Sequence, residues 1–259
     1  MGVEWQTVRA GADGSGHGVL LLPGGLMAAR SYDRVLARPE LAETRLVAAT
    51  LPGHAGTPPP DDLSVERYAE LATELAADNR CDVVVGFSMG ATVALEMAAS
   101  GGFTGPVVLL GISLSAADEP AFFRWIVRLG SVLGGLPARA LTTMSGLATK
   151  AAHVPDEHRA RMREDFARND PRVVRVGLGE YLAYLDRHPS PATRLCDAGV
   201  PTWVVHAEKG DGDLTDNERR TLATCPQVQL VTISGTSYFL PDEHPEKVAE
   251  VTAEALAAA

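Results

Sequence analysis

The sequence predicts an α/β fold with a mainly parallel, doubly wound sheet, and three observations lead to it. Short runs rich in valine, leucine and isoleucine alternate along the chain with segments of helical periodicity. Most of these runs are unbroken apolar stretches, which is typical of strands covered on both faces. Between about Ala116 and Asp197 the alternation stops and only helical patterns remain. We therefore expect a sheet domain that a helical block interrupts.

Local residue patterns define where the strands and the main helices of the sheet domain are expected. The strands are predicted at 19–22, 46–49, 82–85, 107–110, 203–205 and 228–233. A helix is predicted over 64–77, where Val65, Tyr68 and Ala72 share one face behind Ser64 as its N-cap. Another is predicted at the C-terminus, beginning near Pro245, which an early helical turn tolerates.

The helical block divides the chain. Its segments are predicted at 118–132, 137–150, 156–168 and 171–186, with a proline near each start, where a first helical turn accepts it. We expect a core of residues 1–115 and 198–259 and a helical lid of residues 116–197. Open α/β sheets bind ligands at the carboxyl ends of their strands, so the lid is expected to cover that edge.

Charge and composition restrict the partners. The formal net charge of −10 would repel a nucleic-acid backbone or an anionic membrane surface, so neither is an expected partner. No apolar run approaches the roughly 18 residues of a membrane span, and the N-terminus has no basic segment leading into an apolar stretch. We expect a cytoplasmic protein that acts on a neutral or weakly polar small molecule.

Cysteine and histidine spacing indicates neither cross-links nor metal. Cys81, Cys196 and Cys225 lie far apart, lack a C-x-x-C spacing and are odd in number, so we expect reduced, buried thiols. No cluster of histidines and carboxylates has metal-ligand spacing, and neither a metal nor another cofactor is predicted.

The segment DVVVGFSMGATVAL at 82–95 reads as a buried strand, a sharp turn and a helix. In this context a G-x-S-x-G motif presents its serine, here Ser88, as a nucleophile. Gly86 and Gly90 are needed because side chains there would collide with the adjoining strand and helix. The backbone N–H of Met89, at the helix N-terminus, would face a developing oxyanion. The alternative is a structural glycine turn that carries an idle serine.

Two further loops give the sequence a resemblance to the α/β-hydrolase family. LLLPGGL at 20–26 is a strand that runs into a glycine pair, and LPGHAGT at 51–57 is similar to the family's leucine-proline-glycine-histidine-glycine loop. The resemblance covers nearly the whole chain outside the lid and implies an α/β-hydrolase fold with its lid inserted after the sixth strand. It also implies Gly25 as the second oxyanion N–H donor, with Pro23 in place of the family's usual histidine, and His54 as a loop residue and not a base. A plain Gly-Gly turn is the alternative for Gly25.

The resemblance implies an acid after the strand at 203–205, because the triad of this family follows the order Ser, Asp or Glu, His. The segment AEKGDGDLT at 207–215 resembles the acid loop with about one extra residue. Asp211 is the implied acid, with Asp213 as the second choice. Alternatively, Asp213 or Asp216 caps the helix that begins near Thr215. His206 resembles a common non-catalytic histidine of this strand.

The implied base is missing from the loop after the last strand, SGTSYFLPDEHP at 234–245. Matching Phe239-Leu240 and Glu243-x-Pro245 to the family pattern places Tyr238 where the family has its catalytic histidine. A tyrosine with a pKa near 10 is neutral at pH 7 and seldom accepts a proton. Because a serine hydroxyl is a weak nucleophile without a base, ordinary triad hydrolysis is not expected. Simple packing in the loop is the alternative role of Tyr238.

Other histidines of the chain are candidates for the base. His153, His158 and His188 lie in the lid region, which can reach over the pocket, although each alone is more often a surface residue. His244 precedes Pro245 at a helix start, about six residues beyond the expected position, and should point elsewhere.

Three functions remain open from the sequence. The first is a lidded serine hydrolase or acyl transferase for a small ester or thioester, with Ser88, Asp211 and an unusual base. The second is a lyase or cyclase in which Ser88 and Tyr238 position a leaving group without an acyl-enzyme. The third is a ligand-binding protein without catalysis. The alanine- and arginine-rich composition resembles proteins of high-GC bacteria, which by analogy suggests a role in biosynthesis of secondary metabolites.

Overall fold

A computed structural model of the chain describes residues 3–12, 16–115, 149, 152–210 and 214–259. Within these residues a single seven-stranded sheet has the strand order β1-β3-β2-β4-β5-β6-β7. Strand β1 is antiparallel to β3, and the other neighbouring strands are parallel. The strands are β1 Gln6–Ala10, β2 Gly18–Leu22, β3 Arg45–Thr50, β4 Val83–Phe87, β5 Val107–Leu110, β6 Thr202–Gly210 and β7 Val228–Ser237.

Helices cover both faces of the sheet. In chain order they are α1 Asp33–Leu36, α2 Val65–Asp78, α3 Met89–Ala99, α4 Asp156–Arg168, α5 Pro171–Arg187, α6 Pro191–Ala198, α7 Asp216–Ala223, α8 Leu240–Glu243 and α9 Pro245–Leu256. Two short 3-10 helices lie at Ala29–Tyr32 and Pro39–Leu41. The predicted N-cap of α2 is confirmed, since the Ser64 hydroxyl accepts a hydrogen bond from the backbone N–H of Arg67.

The central strands β2 to β5 are buried on both faces, as their unbroken apolar sequences predict. In β2, Leu20 and Leu22 pack in the core on one side of the sheet, and Val19 and Leu21 pack in the core on the other. The same alternation places Val84 of β4 in the first core and Val85 in the second. A parallel sheet with helices on both sides follows from this pattern.

The sheet extends further than the sequence predicts. Strand β1 has an exposed, polar sequence with no apolar run, so its pairing with β3 at the sheet edge leaves little trace in the residue pattern. Strand β7 continues to Ser237, through residues predicted as loop, and pairs with a β6 that continues to Gly210. The added residues are mostly exposed and include Gly235, and a register shift interrupts the ladder between Ala207 and Lys209.

Helices α4, α5 and α6 lie between β5 and β6. The predicted helix at 156–168 is confirmed, and the one at 171–186 is confirmed with one more residue, Arg187. The predicted segments 118–132 and 137–150 lie outside the described residues, apart from Thr149. Five strands of the described chain precede these helices, whereas the family resemblance implied six. The boundaries of core and lid remain a prediction.

Two of the cysteines correct the prediction of reduced thiols. Cys196, in α6, and Cys225, in the turn before β7, form a disulfide with a Cα–Cα distance of 5.5 Å. Cys81 is free and buried, as expected. The bridge was missed because the two residues are 29 positions apart, and only the packing of α6 beside the end of α7 brings them together. No helix in the described ranges is long and apolar enough to cross a membrane.

Candidate active site

The predicted site lies where the order of the strands reverses. Strands β2 and β4 are neighbours at the centre of the sheet, while the chain continues from β2 to β3 on one side and from β4 to β5 on the other. Open α/β sheets form a crevice at such a switch point, at the carboxyl ends of the strands. The Pro23-Gly24-Gly25 loop follows β2 and Ser88 follows β4, so both flank this crevice.

Ser88 occupies a strained turn between β4 and α3. It is exposed and has φ 50° and ψ −116°, a left-handed backbone conformation that a residue with a side chain rarely adopts. Its backbone N–H donates to the carbonyl of Leu110 at 2.9 Å, and its own carbonyl accepts from Ala91 and Thr92 in the first turn of α3. The neighbouring strand and the following helix thus both hold the turn.

The two glycines of the elbow are sterically required. A Cβ on Gly86 would lie 2.2 Å from the carbonyl oxygen of Gly90. A Cβ on Gly90 would lie 2.3 Å from the carbonyl oxygen of Leu22, in the neighbouring strand. Both distances are far below van der Waals contact, so β2, β4 and α3 approach as closely as they do because these positions have no side chain.

The two predicted oxyanion donors lie next to each other. Met89 is the first residue of α3, so its backbone N–H is one of the helix N-terminal groups without a partner in the helix. A Cβ on Gly25 would lie 3.5 Å from Sδ and 3.7 Å from Cβ of Met89. The loop after β2 therefore faces the start of α3, as an oxyanion site formed by two backbone N–H groups requires.

His54 lies beside this pair and is held as a neutral ring. Its Nδ1 accepts the backbone N–H of Leu26 at 2.9 Å, so the ring proton is on Nε2. Burial lowers its pKa to about 4. A ring with this tautomer offers an N–H and no free lone pair on Nε2, which makes His54 unsuited to be the base. Its Cε1 lies 4.0 Å from the position that a Cβ of Gly25 would take.

Tyr238 stands directly after β7 in a turn that Glu243 organises. The Glu243 carboxylate accepts hydrogen bonds from the Ser237 hydroxyl at 2.5 Å and from the backbone N–H groups of Tyr238 at 2.7 Å and Phe239 at 2.8 Å. Burial opposes ionisation of Glu243, but these hydrogen bonds outweigh it and lower its pKa. The Tyr238 side chain is 41% exposed, which does not support a packing role. No hydrogen bond joins its hydroxyl to the described residues.

The predicted acids Asp211 and Asp213 lie outside the described residues. Position 211 follows Gly210, the last residue of β6, whose partner in the ladder is Ser237, the residue before Tyr238. The alternative role of Asp213 or Asp216 as a helix cap is wrong. Thr215 is the N-cap of α7 and forms a capping box with Glu218, and Asp216 is the first residue within the helix.

The contacts of the histidines do not identify a base beside Ser88. All seven histidines of the chain are described, and none hydrogen-bonds to the Ser88 hydroxyl. Five other imidazole rings lie within 4.0 Å of polar side chains: those of Asp82 for His17, Glu243 for His153, Asp242 for His158, Glu66 for His188, and Thr232 and Arg219 for His206. Among the described side chains, no group of three or more His, Cys, Asp or Glu could hold a metal ion.

Sequence reasoning missed two residues that organise the site. Glu243 was used only to align the last loop, and Asn169, which bonds to the loop after β2, was not considered. Locally, Asn169 ends α4, where its side-chain amide donates to the carbonyls of Asp165 and Phe166. Its contact with Leu26, 143 positions away, has no signal in the sequence.

A strained serine between two sterically required glycines, at the switch point of a parallel sheet, defines an enzyme of the α/β-hydrolase fold. The model of the alpha/beta hydrolase family matches residues 19–251, and the chain belongs to this family. No curated protein matches the chain significantly.

Solved structures show the same fold at low sequence identity. A thermophilic esterase from Thermogutta terrifontis is 20% identical with a TM-score of 0.77, covering 98% of this chain and 93% of that one. MenH from S. aureus is 17% identical with a TM-score of 0.74, covering 98% and 97%. AqDC, which recognises and cleaves the ring of the Pseudomonas quinolone signal, is 18% identical with a TM-score of 0.76, covering 98% and 97%.

Proposed function

We propose that the protein is a serine-dependent enzyme that acts on a small-molecule ester, thioester or related acyl intermediate in bacterial biosynthesis. The observation that carries this proposal is the conformation of Ser88, exposed and strained at the head of α3. Backbone strain of this kind needs the surrounding structure to impose it, and it is concentrated at functional sites. A structural glycine turn would not need a serine in the left-handed region.

In this proposal Ser88 Oγ attacks the acyl carbon, and the backbone N–H groups of Met89 and Gly25 stabilise the negative charge that develops on the acyl oxygen. Preorganised backbone donors are effective because they need no reorganisation when the charge appears. The adjacency of Gly25 and Met89 supports these roles. We assign Asp211 and Tyr238 to the same site. As the bond from the acyl carbon to the leaving group breaks, the Tyr238 hydroxyl gives its proton to the leaving group and takes up the proton that Ser88 releases, so Tyr238 ends the step neutral.

A specific observation favours a second candidate, a lyase or cyclase that forms no acyl-enzyme. None of the seven histidines hydrogen-bonds to Ser88, so the proton acceptor that acyl transfer normally needs has not been found among them. In this version Ser88 orients a leaving group and Tyr238 gives it a proton. The related fold of an esterase and of a ring-cleaving protein is compatible with either chemistry.

A fluorophosphonate probe separates the two candidates because it labels an activated serine. We expect the probe to label the wild type at Ser88 and to leave Ser88→Ala unlabelled. Ser100→Ala is the matched control, since Ser100 ends the same helix and its hydroxyl bonds only to carbonyls of α3. Absence of labelling in the wild type would reject the acyl-enzyme proposal and favour the second candidate.

A further inference from the structure

The loop after β2, residues 23–29, is held by side chains from two distant parts of the chain. From the β3 side, His54 accepts the backbone N–H of Leu26 and Thr50 accepts that of Ala29, both at 2.9 Å. From α4, Asp165 accepts the backbone N–H of Ala28 at 3.3 Å. We call residues 23–29 the glycine loop. Since these bonds come from outside the loop, its conformation depends on both the β3 side and α4.

Asn169, the residue that ends α4, connects these two neighbours through a single buried amide. Its Nδ2 donates to the carbonyl of Leu26 at 2.9 Å, and its Oδ1 accepts the backbone N–H of Ala55 at 2.9 Å. The same Nδ2 also faces the carbonyls of Asp165 and Phe166. With a relative exposure of 5%, the side chain has no access to water as a substitute partner.

Both backbone residues that Asn169 holds are in the left-handed region. Leu26 has φ 70° and Ala55 has φ 49°. Residues with a Cβ avoid this region, and they persist in it only where the surroundings determine the backbone. Because His54 holds the N–H of Leu26 and Asn169 holds its carbonyl, the peptide groups on both sides of Leu26 are fixed.

We propose that Asn169 is a positioning residue that sets the glycine loop, and with it the N–H of Gly25, against the start of α3. Gly25 directly precedes Leu26, so a change at Leu26 moves the donor that faces Met89. The inference rests on the proposed function, in which Gly25 stabilises the oxyanion. In this proposal the end of α4 helps to orient the site through Leu26, and Asn169 itself does not contact the substrate.

The test measures covalent reaction of Ser88 with a small fluorophosphonate at increasing probe concentration, so that the reaction rate at saturation and the probe affinity are obtained separately. Loss of one oxyanion donor lowers turnover by about 10²–10³-fold, and a misplaced donor retains part of this effect. For Asn169→Ala and the nearly isosteric Asn169→Asp we expect a rate at saturation about 10- to 100-fold lower, with affinity little changed. Asn79→Ala is the matched control, because Asn79 also ends a helix and bonds to a helix carbonyl, that of Leu75.

A second variant separates positioning from general loss of structure. Glycine adopts φ 70° without strain, so in a Leu26→Gly background the backbone no longer needs Asn169 to hold it there. We expect Asn169→Ala to lower the rate less in that background than in the wild type. An equal loss in both backgrounds, or a loss in Asn79→Ala as large as in Asn169→Ala, would overturn the proposal.

Amide hydrogen exchange keeps the proposal testable if the wild type is not labelled. Absence of labelling would reject the proposed acyl-enzyme function but would leave the positioning role of Asn169 to be tested. In Asn169→Ala we still expect faster exchange of the Leu26 amide, although its own acceptor, His54, is unchanged. If the Leu26 amide kept its wild-type protection while only Ala55 lost it, Asn169 would not position the glycine loop.

Discussion

Gly86 faces Gly90 across the elbow so closely that a Cβ on Gly86 would lie 2.2 Å from the carbonyl oxygen of Gly90. The turn that presents Ser88 therefore depends on the absence of two side chains. This steric requirement concerns only the backbone. It can therefore be tested by measuring the stability of variants, without knowing the substrate.

Gly90→Ala should strongly destabilise the protein, because its methyl group would lie 2.3 Å from the Leu22 carbonyl oxygen and the central strands would have to move. Overpacking of this kind costs about 1–3 kcal/mol or more. Urea unfolding followed by circular dichroism measures the change.

Gly179→Ala is the control for that substitution. A Cβ at Gly179, within α5, would meet no heavy atom within 4 Å, and alanine favours a helix over glycine by about 0.5–1 kcal/mol. We expect this variant to be more stable than the wild type. Equal effects of the two substitutions would mean that the elbow is not as tightly packed as described.

Tyr238→His should increase the reactivity of Ser88. Glu243 holds the backbone of this turn through Tyr238 and Phe239, so the substitution leaves the turn intact. In the proposed function, it adds a base where the family has its histidine. General-base catalysis is worth about 10²–10⁴-fold, and we expect at least about tenfold faster fluorophosphonate labelling. Val176→His, at an exposed position of α5, should have no effect.

Tyr238→Phe tests the role of the hydroxyl. If Tyr238 donates a proton to a leaving group, this variant should turn over the true substrate more slowly while binding it with similar affinity. Unchanged turnover would remove Tyr238 from the site.

Asp242→Asn should change how stability depends on pH. Burial raises the pKa of Asp242 to about 8, and one of its carboxyl oxygens has no hydrogen-bond partner among the described residues. The folded-state pKa lies above the ordinary value of 3.8, so the stability that protonation contributes is complete below about pH 4 and is lost as the pH rises toward 8. The charged and titratable groups around this carboxyl are Asp33, Arg34, His158, Asp165 and Glu243.

The amide cannot ionise, so Asp242→Asn should gain stability relative to the wild type between pH 5 and pH 8, by about 1 kcal/mol or more. Urea midpoints at several pH values measure this gain. Asp61→Asn, at an exposed position, is the control. A constant difference between Asp242→Asn and the wild type across this range would contradict the raised pKa.

The disulfide predicts a count of thiols. Alkylation of the unfolded, unreduced protein should add one label, at Cys81, because Cys196 and Cys225 are joined. Reduction before alkylation should raise the count to three. In the folded protein Cys81 should react slowly, because burial raises its pKa to about 11. Three labels without reduction would support the original expectation of free thiols.

The sequence by itself determined the features that depend on neighbouring residues. A buried strand, a turn with Gly86 and Gly90 and a helix are all encoded within 82–95, which is why the elbow was found without a structure. The cap of α2 by Ser64 and the helices at 156–168 and 171–186 are local in the same sense. Steric exclusion and helical periodicity act over a few residues, so a pattern of a few residues is enough to predict them.

Only the tertiary structure decided which distant groups meet. The exposed strand β1, the bond between Cys196 and Cys225 and the amide of Asn169 on Leu26 each join segments whose approach depends on how the whole sheet and its helices pack. The partners of the histidines are decided in the same way, which is why the sequence could name candidate bases but not their contacts. A hydrogen bond of 2.9 Å requires its two atoms to be placed accurately in space. A local residue pattern does not specify this placement, because one backbone rotation elsewhere in the chain changes the distance between distant groups.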